Sequence, residues 1–350
     1  MTTVPEPAAA TQPAGPLFVV GMWRSGTSLL HTLLNQHPQI ALMYEGNLPL
    51  LWPLFLNGKN KRDWLERWEF WNGALSRHKV DRDAFPSEFP GFAAAMEAVY
   101  RQYAGTAHWG CKSPDYFDRM VRLAQEFPHA RFVVIFRDPF EICRSIVRAG
   151  RTSRWFARRG MTLRALLGYH EMKKQTDRLR QRGACLYELH YEDLVADPQR
   201  TLKSVCKFLE IPFDSQMTSL ETADRSAIYD AQHHAGVKSK EIFASANREE
   251  VLSPSVKNKV QRYLSYWQRI YAGRWPVYPV AKNDSAKEAG FVERAVDAVI
   301  YRSLRVYDQA VVLLYCFAPL GLLRLYRGAY GSTRSGSSPV PALGPETRKA

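Results

Sequence analysis

Hydrophobic and polar positions along this chain change period repeatedly, and the changes divide it into short strands and helices. LFVVG, Leu17 to Gly21, is a continuous apolar run closed by a glycine, the pattern of a strand buried on both faces. Thr27 to Gln36 then follows a helical repeat with LLHTLL as its apolar part, and it stops at His37-Pro38. IALMY, Ile40 to Tyr44, predicts a second strand, HWGCK, His108 to Lys112, a third, and RFVVIFRDP, Arg131 to Pro139, the clearest central strand. Helices are expected over Pro114 to Phe127, Phe140 to Ala149 and Gln199 to Leu209, with one more strand in CLYELHYEDL, Cys185 to Leu194. Strands that alternate with helices predict an α/β fold built on a parallel sheet. Asn47 to Trp109 breaks the rhythm with aromatic sequence such as WPLFLNGKNKRDWLERWEFW and reads as a helical insertion beside that sheet, placed to shape a ligand pocket.

The remainder divides by composition. Residues 1–16 and 331–350 are rich in Pro, Ala, Gly and Ser and read as loose tails around an α/β domain of 17–275 and a helical extension of 276–330. Within the extension, an uncharged stretch from Gln309 to Leu323 is flanked by Arg302, Arg305, Arg324 and Arg327. It is shorter than the roughly 20 residues that cross a bilayer, and Pro319 interrupts it. Three readings of 291–330 stay open: a helix lying on an acidic membrane surface, a helix packed on the core, or one packed on a second subunit of a homodimer.

A chain of 350 residues with 46% hydrophobic content is long and apolar enough to bury a large core, which excludes general disorder. Its net charge of +14 points to an anionic partner, whether nucleic acid, an acidic membrane or a phosphorylated ligand. The five cysteines, Cys111, Cys143, Cys185, Cys206 and Cys316, are odd in number and form no C-x-x-C pair. They read as reduced core residues, and together with the absence of a secretory pattern at Met1 to Pro16 they predict a cytoplasmic protein, peripheral on the membrane if the extension binds lipid.

The candidate chemistry begins at GMWRSGTSLL, Gly21 to Leu30. A phosphate-binding P-loop reads G-x-x-x-x-G-K-[ST], its lysine reaching the outer phosphates and its hydroxyl holding magnesium. Gly21 and Gly26 have that spacing, but Thr27 takes the lysine position and the one cation of the loop is Arg24. A strand that ends in such a turn and opens a helix directs backbone N–H groups and the helix dipole at one spot, so an oxyanion fits there. Thr27 and Ser28 add hydroxyls, and Arg24 adds a planar fork suited to phosphate or sulfate. The fold expected is therefore a parallel sheet of P-loop type. Arg137, at the end of the FVVIF strand, reads as a second anion clamp, with Ser145 two helical turns further on in support. Two clamps imply a ligand with two separated phosphate groups. A magnesium-dependent kinase or triphosphatase would instead use Asp138 as metal ligand, but Arg137 beside it is electrostatically awkward for a cation. A non-catalytic protein binding nucleic acid or membrane accounts for the charge and not for the paired clamps. Glu45, at the end of the second strand and on the loop's edge of the sheet, is the candidate base. His31, His37, His233 and His234 lack a further ligand cluster at suitable spacing, so no metal is expected.

RSGTS followed by FRDPFEICRS resembles the sulfotransferases that use 3′-phosphoadenosine-5′-phosphosulfate (PAPS). HPQIALMYEG, GCKSPDYF and LHYEDLVADPQRTLKSVCKFLEIP extend the likeness, in the same order over Leu17 to Pro212, to tyrosylprotein sulfotransferases and bacterial enzymes of that branch. The resemblance implies that Arg24, Ser25, Gly26, Thr27 and Ser28 hold the 5′-phosphosulfate, that Arg137 and Ser145 hold the 3′-phosphate, and that Tyr191 faces the nucleotide. It implies Glu45 as base and Lys112 as the lysine on the sulfuryl group and leaving oxygen, although the family's G-E-E-T is M-Y-E-G here. Arg148 falls one position before a family arginine, and Lys238 and Lys240 stand where a lid could close. The expected reaction is metal-free transfer to a hydroxyl of a small molecule, lipid or carbohydrate. Nucleic acid is not an expected partner.

Overall fold

A computed structural model describes residues 16–47, 61–81, 94, 96–99, 108–228, 242, 252–271 and 288–323. Strands β1 (Leu17–Gly21), β2 (Ile40–Tyr44), β3 (His108–Lys112), β4 (Arg131–Phe136) and β5 (Cys185–His190) form one parallel sheet in the order β2-β3-β1-β4-β5. The middle strand is β1 rather than β4. The chain runs from β1 out to β2, back to β3, and crosses to β4 on the other side of β1, so the strand order reverses around β1 and opens a crevice at its carboxyl end. Because every pairing is parallel, the residues that follow each strand lie on a single edge of the sheet.

Strand alternation sorts the core into two layers. Leu17 and Val19 point to a layer built by helices α1 (Thr27–Leu34) and α8 (Pro198–Leu209), through Leu30, Leu33, Leu202 and Val205. Phe18 and Val20 point to the larger layer. There they meet α4 (Met120–Glu126), α5 (Pro139–Gly150), α6 (Met161–Gln181), α9 (Pro254–Tyr271) and, through Val312 and Cys316, α10 (Phe291–Phe317). The insertion supplies α2 (Lys61–Asn72) and α3 (Ala74–Arg77), whose Trp64, Leu65, Trp68 and Leu75 join this second layer. The 21-residue α6 and the 18-residue α9 have no counterpart among the elements expected from the sequence.

Several boundaries differ for local reasons. The first helix ends at Leu34, where Asn35 turns its side chain back to the Leu42 backbone. The helix expected from Pro114 is two pieces: Ser113 caps a short 3-10 turn at Pro114–Tyr116, and α4 begins only at Met120. The last strand stops at His190, and Tyr191 opens α7 (Tyr191–Ala196). Cys185 is exposed, not a core residue, because it begins the edge strand β5, which pairs on one side only. The other four cysteines are buried, and none of the five forms a disulfide. In the extension, the helix ends before Pro319 and its inner side packs on the core. The expected tails, Lys238, Lys240, His233 and His234 lie outside the described residues.

Candidate active site

The first loop is forced into shape by contacts that tolerate little side chain. A Cβ on Gly21 would come within 2.5 Å of Ser25 Oγ and 2.6 Å of Ile135 Cγ2, so the strand must end in glycine. Arg24 and Gly26 both take left-handed backbone, at φ 70° and 97°, and Ser25 N–H closes the turn on Met22 C=O at 3.0 Å. A left-handed arginine is strained, a conformation that persists where surrounding structure over-determines it. Ser25 is fully buried, and its hydroxyl has no hydrogen-bond partner. A buried hydroxyl left in that state costs about 1 to 3 kcal/mol, and an oxyanion accepting from it removes the cost.

Arg24 reaches from this loop to α5, where its Nε donates to Ser145 Oγ at 2.9 Å. Arg137, just past β4, donates from Nη1 to the Arg24 carbonyl at 2.8 Å, lies over the Tyr191 ring at 4.3 Å, and has Glu141 at 3.7 Å. Tyr191 in turn packs on Gly26, where an added Cβ would meet its Cδ2 at 2.3 Å. Five of the expected residues, Arg24, Gly26, Arg137, Ser145 and Tyr191, are thus in one cluster. Burial lowers Arg24 to about 10, with Arg137 the next cause and Arg148 a smaller one. Two guanidinium groups in one cluster, with the charge of Arg24 disfavoured by burial and by Arg137, form a site that an anion relieves. Asp138 does other work: its Oδ1 caps α5 by accepting from Phe140 N–H at 2.8 Å, and burial pushes its carboxyl up to about 6.

A second cluster lies two strands away on the same edge. Lys112 is completely buried. Its Nζ donates to Glu45 Oε1 at 2.7 Å and to Ser28 Oγ at 3.2 Å, and it stands 3.9 Å from the centre of the Tyr44 ring. The Tyr44 hydroxyl and Ser28 Oγ are 2.8 Å apart, so Ser28 joins this cluster to the loop. Burial pulls the Lys112 ammonium below its usual range, and Glu45 opposes that shift. Glu45 and Asn47 are also left-handed, at φ 50° and 54°. The insertion holds this bend: Trp68 Nε1 donates to Gly46 C=O at 2.6 Å, Arg77 Nη1 to Tyr44 C=O at 3.3 Å and Arg77 Nη2 to Glu45 C=O at 3.4 Å. Ser113 Oγ ties Asn47 Oδ1 at 2.5 Å, and the Glu45 N–H bonds Lys112 C=O at 2.7 Å.

Tyr44, Trp68 and Arg77 were not foreseen as site residues. The aromatic density of the insertion signalled burial but not that its polar atoms brace Glu45. Beside this cluster, half-buried Asp115 accepts from Trp23 Nε1 at 3.0 Å, and desolvation followed by the charge of Glu45 raises its carboxyl. The histidines serve the backbone. His31 pairs with Leu42 C=O at 2.8 Å and burial drives it to about 3, while His37 pairs with Pro212 C=O at 2.8 Å. Among the described residues no group of three His, Cys, Asp or Glu side chains is placed to hold a metal ion.

A parallel sheet whose switch point carries a glycine-bounded loop, a helix N-terminus and two arginines defines a protein of P-loop-type fold, with an edge chemically suited to an oxyanion. Within that class, residues 16–215 match the sulfotransferase family, and the chain belongs to it. It is 26% identical over 212 residues to protein-tyrosine sulfotransferase 1 of Danio rerio, a match covering 57% of this chain and 54% of that protein. It is 25% identical over 254 residues to omega-hydroxy-beta-dihydromenaquinone-9 sulfotransferase Stf3 of Mycobacterium tuberculosis, covering 55% of this chain and 62% of the relative. The chain therefore spans about half the length of the curated relatives it matches. Its fold is shared with the sulfotransferase domain from the curacin biosynthetic pathway, at TM-score 0.52 and 18% identity over 73% of this chain and 99% of that one.

Proposed function

We propose that residues 17–275 form a sulfotransferase domain that uses PAPS as donor and a hydroxyl of a small molecule, lipid or carbohydrate as acceptor. The observation that carries this reading is the pair of clusters on one sheet edge, Arg24–Arg137–Ser145 and Lys112–Glu45, joined through Ser28. Bound there, PAPS supplies a sulfuryl group whose transfer follows the loose, in-line pattern of phosphoryl transfer. The loop N–H groups, Ser25, Thr27, Ser28 and Arg24 hold one oxyanion; Arg137 and Ser145 hold the other, with Tyr191 beside them. Lys112, desolvated and therefore strong as a point charge, neutralises negative charge that develops on oxygen during the reaction. Glu45 takes the proton of the acceptor hydroxyl. Before that it is paired with Lys112, and the ordered bend at 44–47 keeps both groups fixed without reorganisation. Arg24 and Lys112 supply the positive charge that a kinase draws from loop lysine and magnesium, so the reaction runs without metal. Five cysteines without a disulfide among them support a reducing, cytoplasmic setting.

The test is a titration of the whole chain with 3′-phosphoadenosine-5′-phosphate, the desulfated donor, in chelator-containing buffer, with ATP and GTP with and without magnesium as comparators. Metal-free binding that prefers the bisphosphate is the expected result. Binding of ATP only when magnesium is restored would overturn the proposal and return Asp138 to the role of metal ligand.

A further inference from the structure

The long helix α10 presents its residues the wrong way round for a surface helix of a water-soluble domain. Its acidic side chains and Arg305 turn inward and are matched. Asp297 takes Lys259 at 2.8 Å and Tyr263 at 3.0 Å, Glu293 takes Arg262 at 2.8 Å, Asp308 pairs with Arg164, and Arg305 pairs with Asp118. The outward side is apolar. Val292, Val296, Val299, Val306, Leu313 and Phe317 recur at alternating three- and four-residue steps or their sums, with Ser303 and Ala310 filling the two gaps. Val299 is 62% exposed and Val306 68%, and Ile300, Tyr307 and Leu314 widen the stripe along one side. Along α10 itself no acidic side chain is exposed, whereas Arg302 is. An unbroken apolar face of this length exceeds what a soluble monomer ordinarily leaves uncovered.

We propose that this outward face of α10 docks on an anionic lipid surface, with the helix lying in the plane of the interface. Two features favour lipid over a second copy of the chain. The first is charge: a chain of +14, with one cation and no carboxylate on the exposed face, complements an anionic bilayer and opposes its own duplicate. The second is the composition of the flanks. Paired helices take their register and direction from complementary charges beside the seam. The flanks here are Ala295, Arg302 and Gln309 on one side and Ile300, Tyr307 and Leu314 on the other, which offer no such code. A fluid surface needs none. The helix is about 40 Å long at 1.5 Å per residue, and no helix of the described residues is long and apolar enough to cross a membrane, so it lies on the bilayer. Its ionic ties reach the loop region: Arg164, paired with Asp308, also lies over Trp23 at 5.2 Å.

Flotation of the whole chain with phosphatidylcholine vesicles, with and without one third phosphatidylglycerol, tests the proposal, with light scattering to give the mass in free solution. The expected results are a monomer that floats with the anionic vesicles and is released by salt. Val299→Gln with Val306→Gln, both exposed and both helix-compatible, should weaken flotation by at least about tenfold, since each valine carries over a kilocalorie of transfer free energy. Unchanged melting of that variant, and unchanged binding of 3′-phosphoadenosine-5′-phosphate, separate loss of docking from loss of fold or donor site. A dimer that dissociates on these substitutions and does not float would assign the face to a second copy and overturn the proposal, as would flotation indifferent to the substitutions or a monomer that never floats.

Discussion

The loop edge of the sheet and the α10 extension handle charge in opposite ways. On α10 the carboxylates of Glu293, Asp297 and Asp308 each meet a cation, and these pairs face the protein. At the loop edge two guanidinium groups share one cluster with Glu141, a fully buried serine hydroxyl has no partner, and three of the five left-handed non-glycine residues among those described, Arg24, Glu45 and Asn47, fall on this edge. Balanced ion pairs build a scaffold. Strained backbone and an orphaned buried hydroxyl are kept only where a ligand completes them, and this difference, more than the presence of charge, separates site from framework.

The strongest way to break that contrast is to alter the reacting pair. Glu45→Gln should lower turnover by a factor on the order of 100 or more while binding of 3′-phosphoadenosine-5′-phosphate persists; full activity in a steady-state assay would place the base elsewhere. Removing either guanidinium, Arg24→Ala or Arg137→Ala, should weaken that binding by about 1.5 to 3 kcal/mol in calorimetry, the scale of a charged hydrogen bond. The matched loss of an α10 pair, Asp308→Asn, should leave binding untouched and cost stability only.

Acidification tests the framework side. Burial lowers His31 to about 3 and His78 to about 4, below the ordinary value of 6.5. The unfolded chain therefore binds more protons between those values, and the stability due to neutral histidine is complete above about pH 6.5 and lost as pH falls towards 4 and 3. Asp138, raised to about 6, acts in the opposite sense because its folded form is the better proton acceptor below that pH. These three groups together should cost on the order of 2 kcal/mol between pH 7 and pH 5 in denaturant titrations, His170, lowered to about 4, adds in the same direction, and stability that rises on acidification would contradict it. The smallest effect is expected from Tyr44→Phe, which deletes a hydroxyl shared with Ser28 while Lys112 still donates to that serine. A loss of about 1 kcal/mol in donor-site affinity or stability fits this geometry.

Much of the fold was legible because buried strands and glycine turns leave short-range marks. β1 to β4 fall where apolar runs end in turn residues, and the loop is visible in the spacing of Gly21 and Gly26. The long α6 was not anticipated. Its apolar residues are mixed with Arg164, Lys173 and Gln175, which are buried with partners and so look polar in the sequence while being interior in the protein.

The sequence by itself determined which chemistry is available: an oxyanion loop without the kinase lysine, an arginine after β4, a carboxylate after β2 and a lysine at the end of β3. Those marks survive in one dimension because each depends on a few neighbouring residues and their backbone. Only the tertiary structure decided which of them meet. The parallel order β2-β3-β1-β4-β5 brings the strand ends to one edge, Ser28 links the two charge clusters, and the insertion braces the bend at Glu45 through Trp68 and Arg77. It also decided that α10 turns its acidic side chains and Arg305 inward and its valines out, since the partners of Asp297, Arg305 and Asp308 lie 38, 187 and 144 residues away along the chain, beyond the reach of any local pattern.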